Sequence, residues 1–216
     1  MEKSYADYRG LEGFVAAKIT KNTGSEYTTE KWKQLEGAVS ASVEGGESSA
    51  PIYRDNKAVR SINTEGADTA TVNMDVLANK VRAWLEGRTY SETNDVYIKT
   101  PKSFDEFALG FIGEKSDGSR EAVIMYVTTV TGGNEERNTK DDGTDVTTVE
   151  YTFTGVFTQK KFNLGTESAP NNQPVKSLII PLTSTITEEM IFGTFADGES
   201  TLDVLTPDEI IALSAA

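Results

Sequence analysis

Neither cysteine nor histidine occurs anywhere in the 216 residues. The first absence excludes disulfides and thiolate chemistry. The second removes the commonest general base and the commonest transition-metal ligand together. Ser-His-Asp and Cys-His nucleophilic arrangements are therefore impossible, and an ordinary zinc site has no ligands to draw on. Positive charge is scarce as well: 21 Lys and Arg stand against 34 Asp and Glu, a net of −13. Tight nucleic-acid binding needs basic surface to displace counterions from phosphates, so this balance argues against it, and equally against anionic membranes. It does not argue against a surface past which DNA slides without sticking. Long apolar runs are missing too; the densest, Val123 to Val127, is far too short to span a bilayer. The opening MEKSYADYRG lacks the apolar core of a signal peptide, and the expectation is a soluble chain made in a cytoplasm. There is no Walker-type phosphate loop and no dinucleotide-binding glycine motif.

What is present is 37% hydrophobic, enough to build a core, in a length that suits one large β domain or two small ones. With no internal repeat and no low-complexity linker, a single domain over residues 1–216 is the better reading. The stretch Leu35–Glu44, LEGAVSASVE, organises it. Side chains on a strand alternate faces. Leu35, Gly37, Val39, Ala41 and Val43 fall on one face, and Glu36, Ala38, Ser40, Ser42 and Glu44 on the other. Nothing on the second face is bulky, basic or aromatic. The turn Gly45-Gly46-Glu47-Ser48-Ser49 and a polar run from Ile52 to Glu65 complete a long predicted hairpin. The plainest reading of such a hairpin is a solvated face of an antiparallel sheet.

Elsewhere, Met1–Gly13 reads as a polar N-terminal arm, and Phe14–Thr20 as a first strand ending at an Asn22–Ser25 turn. Trp32 leads into the Leu35 strand. Asp68–Val72 is a weak short strand. From Met74 to Glu86, Leu77, Val81, Trp84 and Leu85 recur at helical spacing, with Asn73 as the predicted cap, Asp75 in the first turn and Gly87 past the end. Those four apolar residues read as a face docked on a sheet rather than as a ligand box. Tyr90–Thr100 is irregular. Phe104–Gly113, with Phe107, Leu109 and Phe111 on one face, is a strand, Ser116–Ser119 a turn, and Glu121–Thr131 a central strand apolar on both faces. Val146–Thr158 sets Val149, Tyr151, Phe153 and Phe157 against Thr148, Glu150, Thr152 and Thr154. Between the last two, Gly132–Asp145 reads as a charged, exposed loop. Its Asp141, Asp142 and Asp145 lack calcium-loop spacing and read as a solvated turn. Ser177–Ser184 is a strand that Pro181 puts near an edge. The acidic segment 185–216 closes with a short helix to Leu213, capped by Thr206 with Pro207 behind it. No Lys or Arg follows Lys176, whereas seven acids do.

An enzyme without His or Cys would rest on carboxylates, Lys, Tyr or Ser. Glu106, Glu121 and Glu150 lie near strands, but periodicity does not bring any two of them together as glycoside hydrolysis requires. The expectation is a non-enzyme with no metal and no cofactor.

GLEGFVAAKIT, LEGAVSASVEGGES, YRDNKAVRSINTEGADTATVNMD and VLANKVRAWLEGRTY, in this order, resemble the major tail proteins of long-tailed bacteriophages, the subunits of the tail tube. The resemblance covers most of the chain, is weakest after about Ser184, and favours the non-contractile type. It implies a mainly β fold: an antiparallel β-sandwich with one flanking amphipathic helix and a long hairpin. The inner sheet would complete a barrel in a ring, hexameric in the family. Rings would stack into a virion tail assembled in the host cytoplasm. Double-stranded DNA would pass through without specific binding, and the partners would be further copies, the tape measure protein, and the distal tail and terminator proteins. Mapped onto this sequence, the lumen wall would hold Glu36, Ala38, Ser40, Ser42, Glu44, Glu150, Thr152 and Thr154. The element reaching the next ring would be the Gly45–Asn56 turn, with Gly45, Gly46, Glu47, Ser48, Tyr53 and Arg54, or the Gly132–Asp145 loop, with Glu135, Glu136, Asp141 and Asp142. Two readings from other classes stand beside it: a secreted or surface β-sandwich module for carbohydrate or cell wall, and a carboxylate hydrolase.

Overall fold

The computed structural model describes residues 7–54, 57–134, 148–166 and 168–214. The chain is mainly β, and its principal sheet is a curled antiparallel half-barrel accompanied by a few short helices. In chain order the elements are β1 Tyr8–Asn22, β2 Tyr27–Thr29, β3 Lys31–Gln34, β4 Ala38–Glu44, β5 Glu47–Arg54, β6 Lys57–Glu65, β7 Asp68–Met74 and α1 Asn79–Glu86. They continue as β8 Thr89–Ser91, β9 Val96–Ile98, β10 Glu106–Lys115, β11 Arg120–Asn134, β12 Val149–Val156, β13 Phe162–Asn163, β14 Asn172–Gln173 and β15 Ser177–Pro181. The chain closes with α2 Glu188–Phe192, β16 Phe195–Ala196, β17 Glu199–Asp203 and α3 Pro207–Ser214.

The sheet runs β16-β17-β3-β1-β10-β11-β12-β7-β4. Strand β11 is shared: its first half pairs β15 and its second half pairs β12. The middle of the sheet is dry on both sides, as the unbroken apolar runs of β10 and β11 require. On one side Trp32, Tyr126, Phe162 and Phe192 pack with the C-terminal helices. On the other, inside the curl, Phe14, Phe107, Leu109, Phe111, Val149, Tyr151 and Phe153 form a second cluster. There Phe14 stacks on Phe111 at 5.1 Å and Trp84 meets Phe107 edge-on at 5.0 Å. The curl brings β4 back against β1.

Several sequence expectations change. The Leu35–Glu44 strand is broken: Leu35 is buried, Glu36 and Gly37 form a turn, and strand structure resumes at Ala38. The cause is Gly37 at φ +81°, whose missing side chain leaves room for Asp75. The N-terminal arm is shorter than 1–13, because Tyr8–Gly13 pairs with β10 as far as Lys115. Met74 and Asn73 belong to β7 and not to a helix. Asn73 donates to Ser40 Oγ at 3.2 Å, so it caps nothing, and α1 starts at Asn79 without a side-chain cap. The α1 end is as expected: Gly87 takes φ +62° and its N–H reaches back into the last turn. Leu77 and Leu85 are buried in the inner cluster, with Val81 and Trp84 packed against it. The irregular 90–100 stretch is a small β8–β9 hairpin. Phe157, expected on the buried face of β12, is 41% exposed, because the strand ends at Val156. At α3, the Thr206 N–H and hydroxyl both donate to Glu209 at 2.8 Å, so the Glu of the Thr-Pro-Asp-Glu run reaches back to the helix start.

Gly110 sits at the centre of β10, where an added Cβ would lie 2.5 Å from the Phe192 ring and 2.9 Å from Val15. Gly110→Ala should destabilise the fold by about 1–3 kcal/mol through overpacking. A lowered urea midpoint with unchanged slope is the expected result; an unmoved midpoint would mean that the contact between sheet and α2 is loose.

Candidate functional site

Period-two alternation in β7 is strict: Ala70, Val72 and Met74 are buried, while Thr69, Thr71 and Asn73 turn outward. The same holds in β12, where Val149, Tyr151 and Phe153 are buried and Glu150, Thr152 and Thr154 face out. Antiparallel register then aligns the outward residues across the sheet. Ser40, Asn73 and Glu150 share one row. Ser42, Thr71, Thr152 and Thr131 share a second, and Glu44, Thr69, Thr154, Thr129 and Glu106 a third. None of these positions holds an aromatic or a basic residue. The result is a smooth hydroxyl-rich wall with carboxylates at Glu44, Glu150 and Glu106.

Six of the eight residues expected together from the sequence lie on this wall: Ser40, Ser42, Glu44, Glu150, Thr152 and Thr154. Two do not. Glu36 is in the turn before β4. Ala38 lies opposite Met74 and packs on the inner cluster, because Val39 is an extra, bulged residue between Ala38 and Ser40. The bulge reverses the faces upstream of it. Thr69, Thr71, Asn73, Thr129 and Thr131 were missed, although the alternation of Ala70, Val72 and Met74 with their neighbours carries the signal.

Beside the wall, among the described residues, the sheet stops at β4. Val39 is 62% and Val43 48% exposed there. They flank a groove, the mouth of the half-barrel, whose other walls are Leu11, Phe111, Val123 and Ile179. This edge carries none of the lysines or prolines that commonly block strand addition.

The predicted long hairpin is paired differently from expectation. Strand β4 pairs β7, and β5 pairs β6 alone, as an insertion between them. Gly45 and Gly46, expected in its turn, are instead at its base, with Glu47 and Ser48 opening β5, whereas Tyr53 and Arg54 are near its tip. Every described side chain of this arm is exposed except the half-buried Ile52. A strand of this length projects about 25 Å. A two-stranded hairpin is marginal on its own, so its base matters. There Lys176, 7% exposed, donates to Glu65 at 2.9 Å, Asp68 at 3.0 Å and the Gly66 carbonyl at 3.0 Å. Asp68 also accepts from Gly46 N–H at 3.1 Å. Burial alone would lower the Lys176 pKa, but its bonds to Glu65 and Asp68 outweigh burial and hold it above the ordinary lysine value. The alternative reaching loop, including Glu135, Glu136, Asp141 and Asp142, lies outside the described residues.

Buried charge elsewhere is consumed by the fold. Glu86 accepts from Arg82 Nε at 2.9 Å, from Tyr151 at 3.1 Å and from Tyr97. Burial and then the Glu86 charge raise the Tyr151 pKa. Of the carboxylates weighed for catalysis, Glu121 is engaged by Lys115 at 2.5 Å and by Tyr8, and Glu106 accepts from Asn22 at 3.1 Å. Glu150 stands apart on the polar wall, in a different row from Glu106. Among the described residues no group of three or more acidic side chains is placed to hold a metal ion, and no helix is long and apolar enough to cross a membrane. No protein-family model matches the chain, and no curated protein sequence does.

Lys176→Met should raise amide exchange at Gly46 and Gly66 by roughly tenfold or more, the loss of about one charge-assisted hydrogen bond or more. A lysine whose folded pKa is raised gives its stabilisation fully below the ordinary value of about 10.4 and loses it only as pH rises through the folded value. In the wild type the arm base should therefore stay protected, relative to intrinsic exchange, from neutral pH up to about 10. Protection lost well below that would show that Lys176 does not hold the arm.

Proposed function

We propose that this protein is a structural subunit of a bacteriophage tail tube, a single domain over residues 1–216. Its curled sheet is read as the tail-tube type of β-sandwich, and it polymerises into stacked rings around a channel for double-stranded DNA. The observation that carries the reading is the polar wall: four adjacent strands, β4, β7, β12 and β11, present Ser, Thr, Asn and Glu outward and no cation. Such a wall gives passing phosphates no counterion-release energy. It binds nothing tightly, which suits a bore. A carbohydrate-binding face would call for aromatic platforms, and these rows contain none.

The open edge supports the same reading. Val39 and Val43 beside a free backbone ladder favour closure by a neighbouring copy, and a ring of heterologous contacts leaves no subunit edge exposed. The arm supports contact between rings, where obligate assemblies bury on the order of 2,000 Å² or more. The tape measure, distal tail and terminator proteins are the further partners under this reading, and the virion tail is its location.

Electron microscopy of the purified protein tests it: rings or tubes about 10 nm wide, the size expected for six such domains around a pore. Dispersed monomers at high concentration would overturn it. Val43→Lys should abolish ring closure and leave the monomer folded by circular dichroism. In the assembled phage, Glu44→Lys with Glu150→Lys should slow genome ejection several-fold with tubes of normal length; unchanged kinetics would remove this wall from the bore.

A further inference from the structure

The arm carries as many basic as acidic residues in a chain whose net charge is −13. Its tip, Arg54 to Arg60, holds Arg54, Lys57 and Arg60 against Asp55 alone. The ion pairs among the described residues include none of these three cations. Arg54 faces Lys57 across the ladder, and Arg60 faces Ile52. The cations thus gather at the end farthest from the Lys176 clamp, next to the exposed Tyr53 and Val59.

The complementary surface is on the same chain. Beyond Lys176 there are seven acids and no base. Glu188 is neutralised by Arg120 at 3.0 Å and Glu199 by Lys33 at 3.3 Å, and Glu209 caps α3. Glu189, Asp197, Asp203 and Asp208 are exposed, and none ion-pairs among the described residues. They stand on α2, the β16–β17 turn, β17 and the first turn of α3, the elements that cover the outer cluster. The clamp holds the base of the arm, and no described element packs along it. Its tip therefore has no acidic partner among the described residues of its own chain.

We propose that the basic tip of the arm docks on the acidic α2–β17–α3 face of a second copy. This rests on the tube reading and specifies it: the arm is the contact between successive rings, and the C-terminal segment is its receptor. Opposite charges on one chain, displayed on separate elements, make a head-to-tail contact that repeats without closing on itself. The apolar Tyr53 and Val59 beside the cations supply area, and the charges set direction and register.

Three proteins test it: Arg54→Glu/Lys57→Glu/Arg60→Glu, Glu189→Lys/Asp203→Lys/Asp208→Lys, and the six changes combined. All six side chains are exposed, and thermal melts check that each protein folds. Wild-type tubes should shorten as salt rises from about 0.05 to about 0.5 M. Each triple variant should stop at rings, with the critical concentration for stacking raised at least about tenfold. The two triple variants mixed, and the sixfold variant alone, should stack again. Stacking by the arm variant at the wild-type concentration, or no recovery in the sixfold variant, overturns the contact while leaving tube formation intact. If the wild type forms no rings, the tube reading fails separately. Carboxyl–amine crosslinking of a mixture of isotope-labelled and unlabelled protein then decides the contact: an intermolecular Lys57 link to Glu189, Asp203 or Asp208 supports it, and links only elsewhere overturn it.

Discussion

Burial on both sides of β10 and β11 is what the rest of the molecule depends on. Gly110 lets Phe192 approach from one side, and Phe107, Leu109 and Phe111 fill the other. With its middle fixed, the sheet can curl at β12, β7 and β4, where only one face is dry. The inner cluster drives that curl. Tyr151, Phe153, Val72 and Met74 turn inward to meet Phe14 and Phe107, and every second residue of the same strands is thereby turned to solvent. Core and wall are two consequences of one periodicity.

That economy explains why much of the site was legible. Strict alternation in Val149–Thr154 identified both the buried and the outward residues of β12 from sequence, and the apolar rows of β10 and β11 announced a central position. The failures have local causes. A single left-handed glycine, Gly37, cut a strand in two, and a bulge at Val39 moved Ala38 to the dry side. Neither is visible in a pattern of period two, because each inserts a residue outside the pattern. The hairpin was mispaired for a different reason. Pairing of β4 with β7 joins residues about thirty apart in sequence, and the inserted β5–β6 ladder offered a closer partner on paper. The predicted helix start failed because Asp68–Met74 fits a strand better than the helical period fits Met74 onward; Leu77 and Leu85 served the core either way.

Charge is sorted on this chain more than it is merely acidic. Lys176 is buried among Glu65, Asp68 and the Gly66 carbonyl, Arg82 is spent on Glu86, and Lys115 on Glu121. Three cations left in the open, Arg54, Lys57 and Arg60, stand together at the end of the arm, and four open carboxylates, Glu189, Asp197, Asp203 and Asp208, stand on the C-terminal elements. A net charge of −13 spread evenly would only keep copies apart. Sorted in this way, it can repel along one direction and attract along another.

Pro51 lies near the middle of β5, opposite Ser61. Proline has no N–H to give, and it is tolerated in a ladder where that missing donor points away from the partner strand. The outer margin of the arm therefore has a gap in its row of donors. Another strand laid alongside β5 could not zip past this point, so that margin of the arm is guarded against the sideways, fibre-like growth that exposed hairpins invite. An arm exposed along its length gains from that: at Pro51 its β5 side is closed to indiscriminate strand addition.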